Sequence, residues 1–480
     1  MGWARAALAL VAVVAAGALL VSGGSGADPE TPRGLPGMPP PFLGVAVLGD
    51  GELTAAVDAY GDVVDLRAPG PAGRALIENP ADRQAAGTVA ADTGIQPWVR
   101  IGDGPALPMW RADRVRQRYL PGTSVLRTVA WFGGARVEVR QAVRGGELAV
   151  AVDGDASAVR LRMSEGRGFV TRAPRVLAEA AASDRRWLSR SRPLGATAPA
   201  WAERMYERSL LVLRALTDRR AGAVAAGARD GWAYVWPRDA GAVALAFDAA
   251  GYPAAARKIV RFLLDLDLSA AARFDGNGDP VPGRGPQGDA PGWVAVAART
   301  AGLDPPSPLP WRNLPDYWEE EPGDYLANAI ASADGTKTAL FIRKSSRRLV
   351  RRLEDPESGL DSAAAWAVRP FSIPDLYPQV RAAMLQLVRS GGRFGTTPGE
   401  DWPGEDPWSA PTAWTAWSLA ALGERRAALR LLGALRRSAT PAGDLPERVD
   451  ARTGVPRSTT PLAWSHAFAI LALRELWPSR

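Results

Sequence analysis

Cysteine is absent from this chain, and histidine occurs once, as His466. These two scarcities exclude disulfides, iron–sulfur clusters, Cys-ligated zinc, multi-histidine metal sites and cysteine nucleophiles. A Ser-His-Asp arrangement could use only His466, in Trp464-Ser465-His466 on an apolar run that reads as helix. A packed, hydrogen-bonded histidine suits that setting better than a catalytic one. Lysine is scarce too, at Lys258, Lys337 and Lys344, so nearly all the basic charge is arginine. The net charge of +7 arises from basic residues scattered among acidic ones, which does not support nucleic-acid binding. The one local cluster, Arg343, Lys344, Arg347, Arg348, Arg351 and Arg352, recurs at helical spacing. No aromatic is interleaved for base stacking, so it reads as a solvated helix face rather than a nucleic-acid or lipid surface. Polar chemistry is left mainly to carboxylates, arginines and aromatics, and no cofactor or metal is called for.

What the chain does carry is length and a segmented pattern. Its 480 residues, 47% hydrophobic and 23% charged, suit about two to four ordinary globular domains. Arg5 precedes an apolar run from Ala6 to Val21, followed by small residues to Ala27. This predicts a secretory signal peptide over 1–27. An uncleaved membrane anchor is the alternative, the run being short of the roughly 20 residues that span a bilayer. The chain is then expected outside the cytoplasm, secreted or N-terminally attached to the membrane, and held by its core without disulfides. Residues 28–41 are Pro-rich and read as a linker. From 42 to 174, short alternating runs broken at Gly-rich turns predict a β-sandwich. Residues 175–198 read as a helical linker.

From 199 to 480 the apolar period becomes 3.6. About eleven helices are expected, among them 336–353, 360–369 and 374–389, with connections rich in Gly, Pro and Trp. Paired helices with long loops fit a helical barrel or toroid, or an irregular bundle. Eighteen tryptophans fall more in these loops than in the helices. A Trp face suits the apolar face of a sugar ring, although core packing accounts for part of the set.

Three loops could carry chemistry. In Gly231-Trp232-Ala233-Tyr234-Val235-Trp236-Pro237-Arg238-Asp239, Asp239 could simply cap the following helix. Arg238 beside Asp239 among aromatics would also clamp sugar hydroxyls, a fixed donor fork next to an acceptor. In Asp316-Tyr317-Trp318-Glu319-Glu320-Glu321-Pro322, a glutamate run usually means a solvated turn. A carboxyl packed on Trp318 would instead be desolvated and could stay protonated as a general acid. In Asp444-Leu445-Pro446-Glu447-Arg448-Val449-Asp450, Glu447 alone would be an ordinary loop acid.

Together these segments resemble glycoside hydrolase family 15, the glucoamylase, glucodextranase and trehalase-like family. The resemblance covers most of the chain and implies an N-terminal β-sandwich followed by an (α/α)6 barrel catalytic domain. It rests on Tyr234-Val235-Trp236-Pro237-Arg238-Asp239, on Gln287-Gly288-Asp289-Ala290-Pro291-Gly292 and on Asp316-Tyr317-Trp318-Glu319-Glu320. The fourth segment is Leu445-Pro446-Glu447 with Thr453-Gly454 and Ser465-His466. The resemblance implies that Glu319 is the general acid, Glu447 the general base and Asp316 a supporting acid. Arg238 and Asp239 would hold the terminal glucose, with Trp232, Trp236 and Trp318 lining the pocket. Three departures bear on the substrate subsites: Glu321 where relatives often have Arg, Arg448-Val449 for Gln-Tyr, and Thr396-Thr397-Pro398 for an Arg-Tyr-Pro sugar contact.

The expected function is an exported inverting glycoside hydrolase releasing glucose from the non-reducing end of an α-glucan, α-glucoside or related oligosaccharide. The alternative is a non-catalytic carbohydrate-binding cell-envelope protein that retains the glycosidase fold. Asp275-Gly276-Asn277-Gly278-Asp279 has the start of a calcium loop, but Pro280 and Pro286 stand where its Gly and Glu would be. A Gly-rich turn is expected there.

Overall fold

Alternating apolar residues build the N-terminal part of the chain as strands. In the computed structural model, residues 10–12, 46–79, 94–163, 173–229, 231–307, 310–318, 321–332 and 349–479 are described. The Pro-rich linker, Glu319 and Glu320, residues 343–348 of the basic cluster and all of 1–27 except 10–12 lie outside them.

The strands are β1 (Leu10–Ala12), β2 (Ala46–Gly49), β3 (Thr54–Val57), β4 (Val63–Ala68), β5 (Arg74–Ile77), β6 (Ile95–Ile101), β7 (Ala106–Pro108), β8 (Arg114–Tyr119), β9 (Leu126–Phe132), β10 (Ala135–Arg144), β11 (Glu147–Gly154) and β12 (Ala156–Met163). One sheet runs β1-β11-β10-β9-β8, antiparallel except at β1, which pairs in parallel with β11. The other runs β12-β6-β4-β3-β2, with β5 on β4 and β7 on β6. In β8 the residues alternate exposed and buried, so Val115 and Tyr119 face inward. They meet Leu48, Val57 and Val99 of the other sheet in one shared core. A one-residue slip would turn that face to solvent, which pins the register.

Helix α1 (Ala173–Leu188) closes over the outside of β10 and β11, burying Val176, Leu177 and Ala180 against Val125, Ala142 and Ala149. The helices that follow are α2 (Ala200–Ala215), α3 (Pro237–Ala249), α4 (Pro253–Leu264), α5 (Ala290–Thr300), α6 (Leu326–Ala331), α7 (Tyr377–Ser390), α8 (Ser409–Ala421), α9 (Arg425–Ser438) and α10 (Ala463–Leu476). They are of two kinds. α3, α5, α6, α8 and α10 are buried nearly all round, as is the 3-10 segment Ser362–Ala367. α4, α7 and α9 bury one apolar stripe and turn arginines outward. A helix apolar on every side belongs inside, and an amphipathic one belongs on the rim. The six inner elements contact one another in sequence, α3 with α5, α6, Ser362–Ala367, α8 and α10, and α10 returns to α3. The ring is closed.

Glycine allows the closest of these approaches. A Cβ on Gly292 of α5 would lie 1.7 Å from the Ala331 carbonyl oxygen of α6, and one on Gly288 would lie 2.5 Å from Asn328 Nδ2. Two expectations need correction. The stretch 336–353 is not one helix, because Val350–Arg352 (β13) pairs antiparallel with Asp355–Leu360 (β14). Arg351 and Arg352 therefore leave the proposed solvated helix face: Arg351 lies over Trp402 at 5.2 Å and Arg352 over Tyr325 at 5.3 Å. The segment 360–369 is a 3-10 turn capped by Asp361, whose carboxylate accepts from the Ala363 N–H at 2.8 Å. Among the described residues, no helix is long and apolar enough to cross a membrane.

The sheets and the helices share a boundary. Val47, Ala56, Val64 and Ala72 join the helical core, and Thr54 Oγ1 donates to the Ala215 carbonyl at 3.2 Å. Tyr119 Oη donates to Asp444 Oδ2 at 3.2 Å. The calcium-like loop belongs to this boundary as well. Asp275 Oδ1 accepts from the N–H groups of Asn277 (2.8 Å) and Asp279 (3.1 Å), and Gly276 N–H donates to Ala72. Its lead carboxylate is engaged in closing a turn.

Candidate active site

Four of the inner elements, α3, α5, α8 and α10, begin beside one cavity, and the chemistry-bearing residues stand at or just before those beginnings. Trp236 precedes α3, whose first turn carries Arg238 and Asp239, and Asp289 precedes α5. Trp408 precedes α8, and Trp464 is in the first turn of α10. Helix N-termini carry partial positive charge from unpaired N–H groups, which favours carboxylates there. The cavity has a volume of about 250 Å3.

Arg238 anchors its floor. The guanidinium is 4% exposed. Nη1 donates to Gln287 Oε1 at 3.1 Å and to Asp289 Oδ2 at 3.2 Å, while Nη2 stands 3.2 Å from Asp239 Oδ2. The Trp464 ring packs on the guanidinium, 4.6 Å from centroid to Cζ. One arginine is thus set between two buried aspartates. Burial pushes Asp239 up to about 6 against the opposing pull of Arg238, and Asp289 is raised by the same cause.

Tryptophans form the wall. Trp318 lies 4.8 Å from Trp402 and 4.9 Å from Trp408, and Trp402 and Trp408 cross edge to face at 5.5 Å. Trp232 and Trp236 complete the lining. Behind them, Trp293, Trp366 and Trp414 are fully buried in edge-to-face contacts at 5.1 and 5.3 Å. The tryptophans therefore divide between the cavity and the core, and Trp464 serves both. Tyr317 bridges the two groups, touching Trp318 and donating to Asp361 Oδ1 at 3.0 Å.

Glu447 brings a carboxyl to the same cavity. Its N–H donates to the Thr459 carbonyl and its own carbonyl accepts from Ser409 N–H, each at 2.9 Å. Ser458 Oγ donates to Glu447 Oε2, and the Trp232 indole supplies a second hydrogen bond. Burial raises Glu447 above the ordinary glutamate range, and these two donors, with Arg448 and Arg229, oppose the rise.

His466 holds the same loop from behind. Nε2 accepts from Leu445 N–H at 2.9 Å and Nδ1 meets Ser209 Oγ at 3.0 Å. Burial pushes the imidazole down to about 3, so it stays neutral, the state in which Nε2 can accept. The packed, hydrogen-bonded reading holds for this residue.

Of the residues singled out in the sequence, Trp232, Trp236, Arg238, Asp239, Trp318 and Glu447 meet at one cavity. Asp316 stands behind the wall, fully buried. Its Oδ1 accepts from Trp318 N–H at 2.9 Å and its carbonyl from Gln287 Nε2 at 3.0 Å. It sets the loop leading to Glu319, which itself lies outside the described residues. Sequence reasoning did not assign Gln287, Asp289, Arg273, Arg284, Trp402, Trp408, Trp464 or Ser458 to the site. The signal for Gln287, Asp289 and Trp464 was present in segments already singled out. Ser458 had none, being a common residue in an irregular loop. Thr396 and Thr397 turn inward to structural partners: Thr396 N–H donates to Thr412 Oγ1 at 3.0 Å, and Thr397 Oγ1 to the Gly399 carbonyl at 2.9 Å. Among the described residues, no group of three His, Asp or Glu side chains is set to hold a metal ion.

No family model matches the sequence, and no curated protein matches it. In three dimensions the chain is similar to a bacterial glucoamylase solved in complex with acarbose. The TM-score is 0.65 at 13% identity, covering 94% of this chain and 96% of that one. It is also similar to the glucoamylase from Saccharomycopsis fibuligera, with TM-score 0.46 and 15% identity over 57% of this chain and 94% of that one. A wild-type glycosidase gives TM-score 0.47 and 22% identity over 58% and 97%. The first likeness shows a shared fold across nearly the whole chain.

Proposed function

We propose that this chain is an exported inverting glycoside hydrolase with an (α/α)6 barrel, acting at the non-reducing end of an α-glucoside. Glu319 is its general acid and Glu447 its general base. The observation that carries the reading is the tryptophan-walled cavity, whose lining brings Arg238, Asp239 and the Glu447 carboxyl together. Buried Asp289 holds the Arg238 guanidinium from outside that lining. The bacterial glucoamylase that shares the fold was solved with acarbose, which favours an oligosaccharide for this cavity as well.

In this mechanism Trp faces cover the apolar side of the terminal sugar and Arg238 with Asp239 fixes its hydroxyls. Glu319, next in sequence after Trp318, protonates the glycosidic oxygen. Glu447 takes a proton from a water on the other ring face, and that water attacks C1. Inversion needs about 6.5–9.5 Å between the two carboxyls to admit the water. A glutamate raised by burial is a stronger base than a solvated one, and the two donors favour its carboxylate form.

The two roles separate by leaving group. Glu319→Gln should lose most activity on maltose-type substrates and much less on glucosyl fluoride or nitrophenyl glucosides, whose leaving groups need little protonation. Glu447→Gln should lose about 10²–10⁴-fold on both. Proton NMR should show the β-anomer released first. Equal losses for Glu319→Gln on both substrate types refute its role as acid, and initial α-anomer refutes inversion. Saturable sugar binding with no turnover in the wild type would make the chain a binding protein instead.

A further inference from the structure

A second cavity, of about 390 Å3, opens between β8, the exposed face of α2 and the loop after α9. Arginines from three separate elements line it. Arg118 comes from β8, Arg204 and Arg208 lie four apart on one face of α2, and Arg436 stands in the last turn of α9. Elsewhere in the chain guanidiniums commonly meet a carboxylate, as Arg214 meets Asp184 at 2.6 Å and Arg220 meets Glu52 at 2.7 Å. Arg118, Arg204 and Arg436 meet none among the described residues. Arg208 is oriented by the Tyr119 ring, 3.7 Å below its Cζ, and by the Thr123 carbonyl, which accepts from Nη2 at 2.5 Å. The one carboxylate on the cavity, Glu207, is raised by burial and by the nearby Glu203. Trp201, Met205 and Leu211 add apolar surface to the same space.

Like charges converging from unconnected elements repel one another, and an anion seated among them removes that repulsion. Guanidinium forks match carboxylate and phosphate oxygens in pairs, and an indole face suits a sugar ring. We propose that this cavity binds a monosaccharide carrying an oxyanion, a sugar acid or a sugar phosphate. The arginines grip the oxyanion, and Trp201 with Met205 covers the ring. The site is separate from the tryptophan-walled cavity, and the inference stands whether or not the chain is a hydrolase.

The test is titration calorimetry on the whole protein in 150 mM salt, with glucuronate, glucose 6-phosphate, inorganic phosphate and glucose as injectants. The expected result is one-to-one binding of glucuronate or glucose 6-phosphate, tighter than that of glucose. The tighter of the two identifies a carboxylate or a phosphate site. Arg204→Gln with Arg436→Gln, both exposed and remote from the core, should weaken it at least tenfold while leaving the unliganded melting temperature unchanged. Arg118→Gln, on a different element, should weaken it as well. Absence of binding for both anionic sugars, or binding that survives the double substitution, overturns the proposal. Inorganic phosphate binding as tightly as glucose 6-phosphate overturns the sugar-ring half of it.

Discussion

Replacing Ser458 by Ala should move the acidic limb of the pH–rate profile upward. In the native site Ser458 Oγ donates to Glu447 Oε2, and a second hydrogen bond comes from the Trp232 indole. Both favour the carboxylate against burial, which favours the neutral acid. A hydrogen bond to a charged group contributes about 1.5–3 kcal/mol, and one pKa unit corresponds to about 1.4 kcal/mol. Loss of the Ser458 donor alone therefore raises Glu447 by about 1–2 units, with the lower figure expected because Trp232 and Arg448 remain. A general base works only when ionised, so the half-maximal point on the acid side of kcat/KM rises by about one unit. At high pH, where Glu447 is ionised in both proteins, the rates should converge. The assay is kcat/KM for a nitrophenyl α-glucoside from pH 4 to 8 in a constant-ionic-strength buffer, with Ser458→Thr as the variant that restores a hydroxyl. A limb that stays in place or moves down in a folded Ser458→Ala protein refutes the assignment of Glu447 as base.

Two further expectations concern buried charge. Arg238→Met leaves Asp239 and Asp289 without their shared cation, a loss of about 3–5 kcal/mol for a broken buried pair. Because Arg238 lowers both aspartates, its removal raises them further, and they escape the penalty by taking up protons. Unfolding by urea should show a large deficit at pH 8 and a smaller one at pH 5; equal deficits refute the argument. In the sandwich, Asp58 and Asp62 lie together in the turn before β4. Burial raises Asp58 to about 7, and burial plus the Asp58 charge raises Asp62. The native state then binds more protons than the unfolded chain above about pH 4, so these groups cost stability progressively as pH rises to about 7 and beyond. Asp62→Asn should accordingly stabilise the protein at pH 8, with the gain shrinking toward pH 4, measured as the shift in urea midpoint at each pH.

The site residues that were legible in the sequence are those announced by their neighbours within a few positions, whereas Arg273, Arg284 and Trp402 reach the cavity with no such local signal. Arg238-Asp239 follows three aromatics and starts a helix, and Asp316, Trp318 and Glu447 lie in loops where polar and aromatic residues interrupt an apolar period. The helices were legible for the same reason, since a 3.6 period is a local property. The failures are equally local. Residues 336–353 carry a helical spacing of charges, yet Val350–Arg352 pairs with Asp355–Leu360, because backbone pairing across a four-residue chain reversal outweighs a weak propensity.

The chain by itself determined the order of its parts, the choice between strand and helix over most of their length, and the residue types available for chemistry. With no cysteine and a single histidine, that chemistry had to come from carboxylates and arginines, whatever the fold. Only the tertiary structure decided which of them meet. Asp289 is 50 residues from Asp239, and Glu447 more than 200, yet the ring of inner helices sets their starting ends around one cavity. Only the structure separated the tryptophans that wall this cavity from those that fill the core, and sent His466 to hold a loop. Burial and partners distant in sequence fix these roles, and neither is a property of a residue's neighbours along the chain.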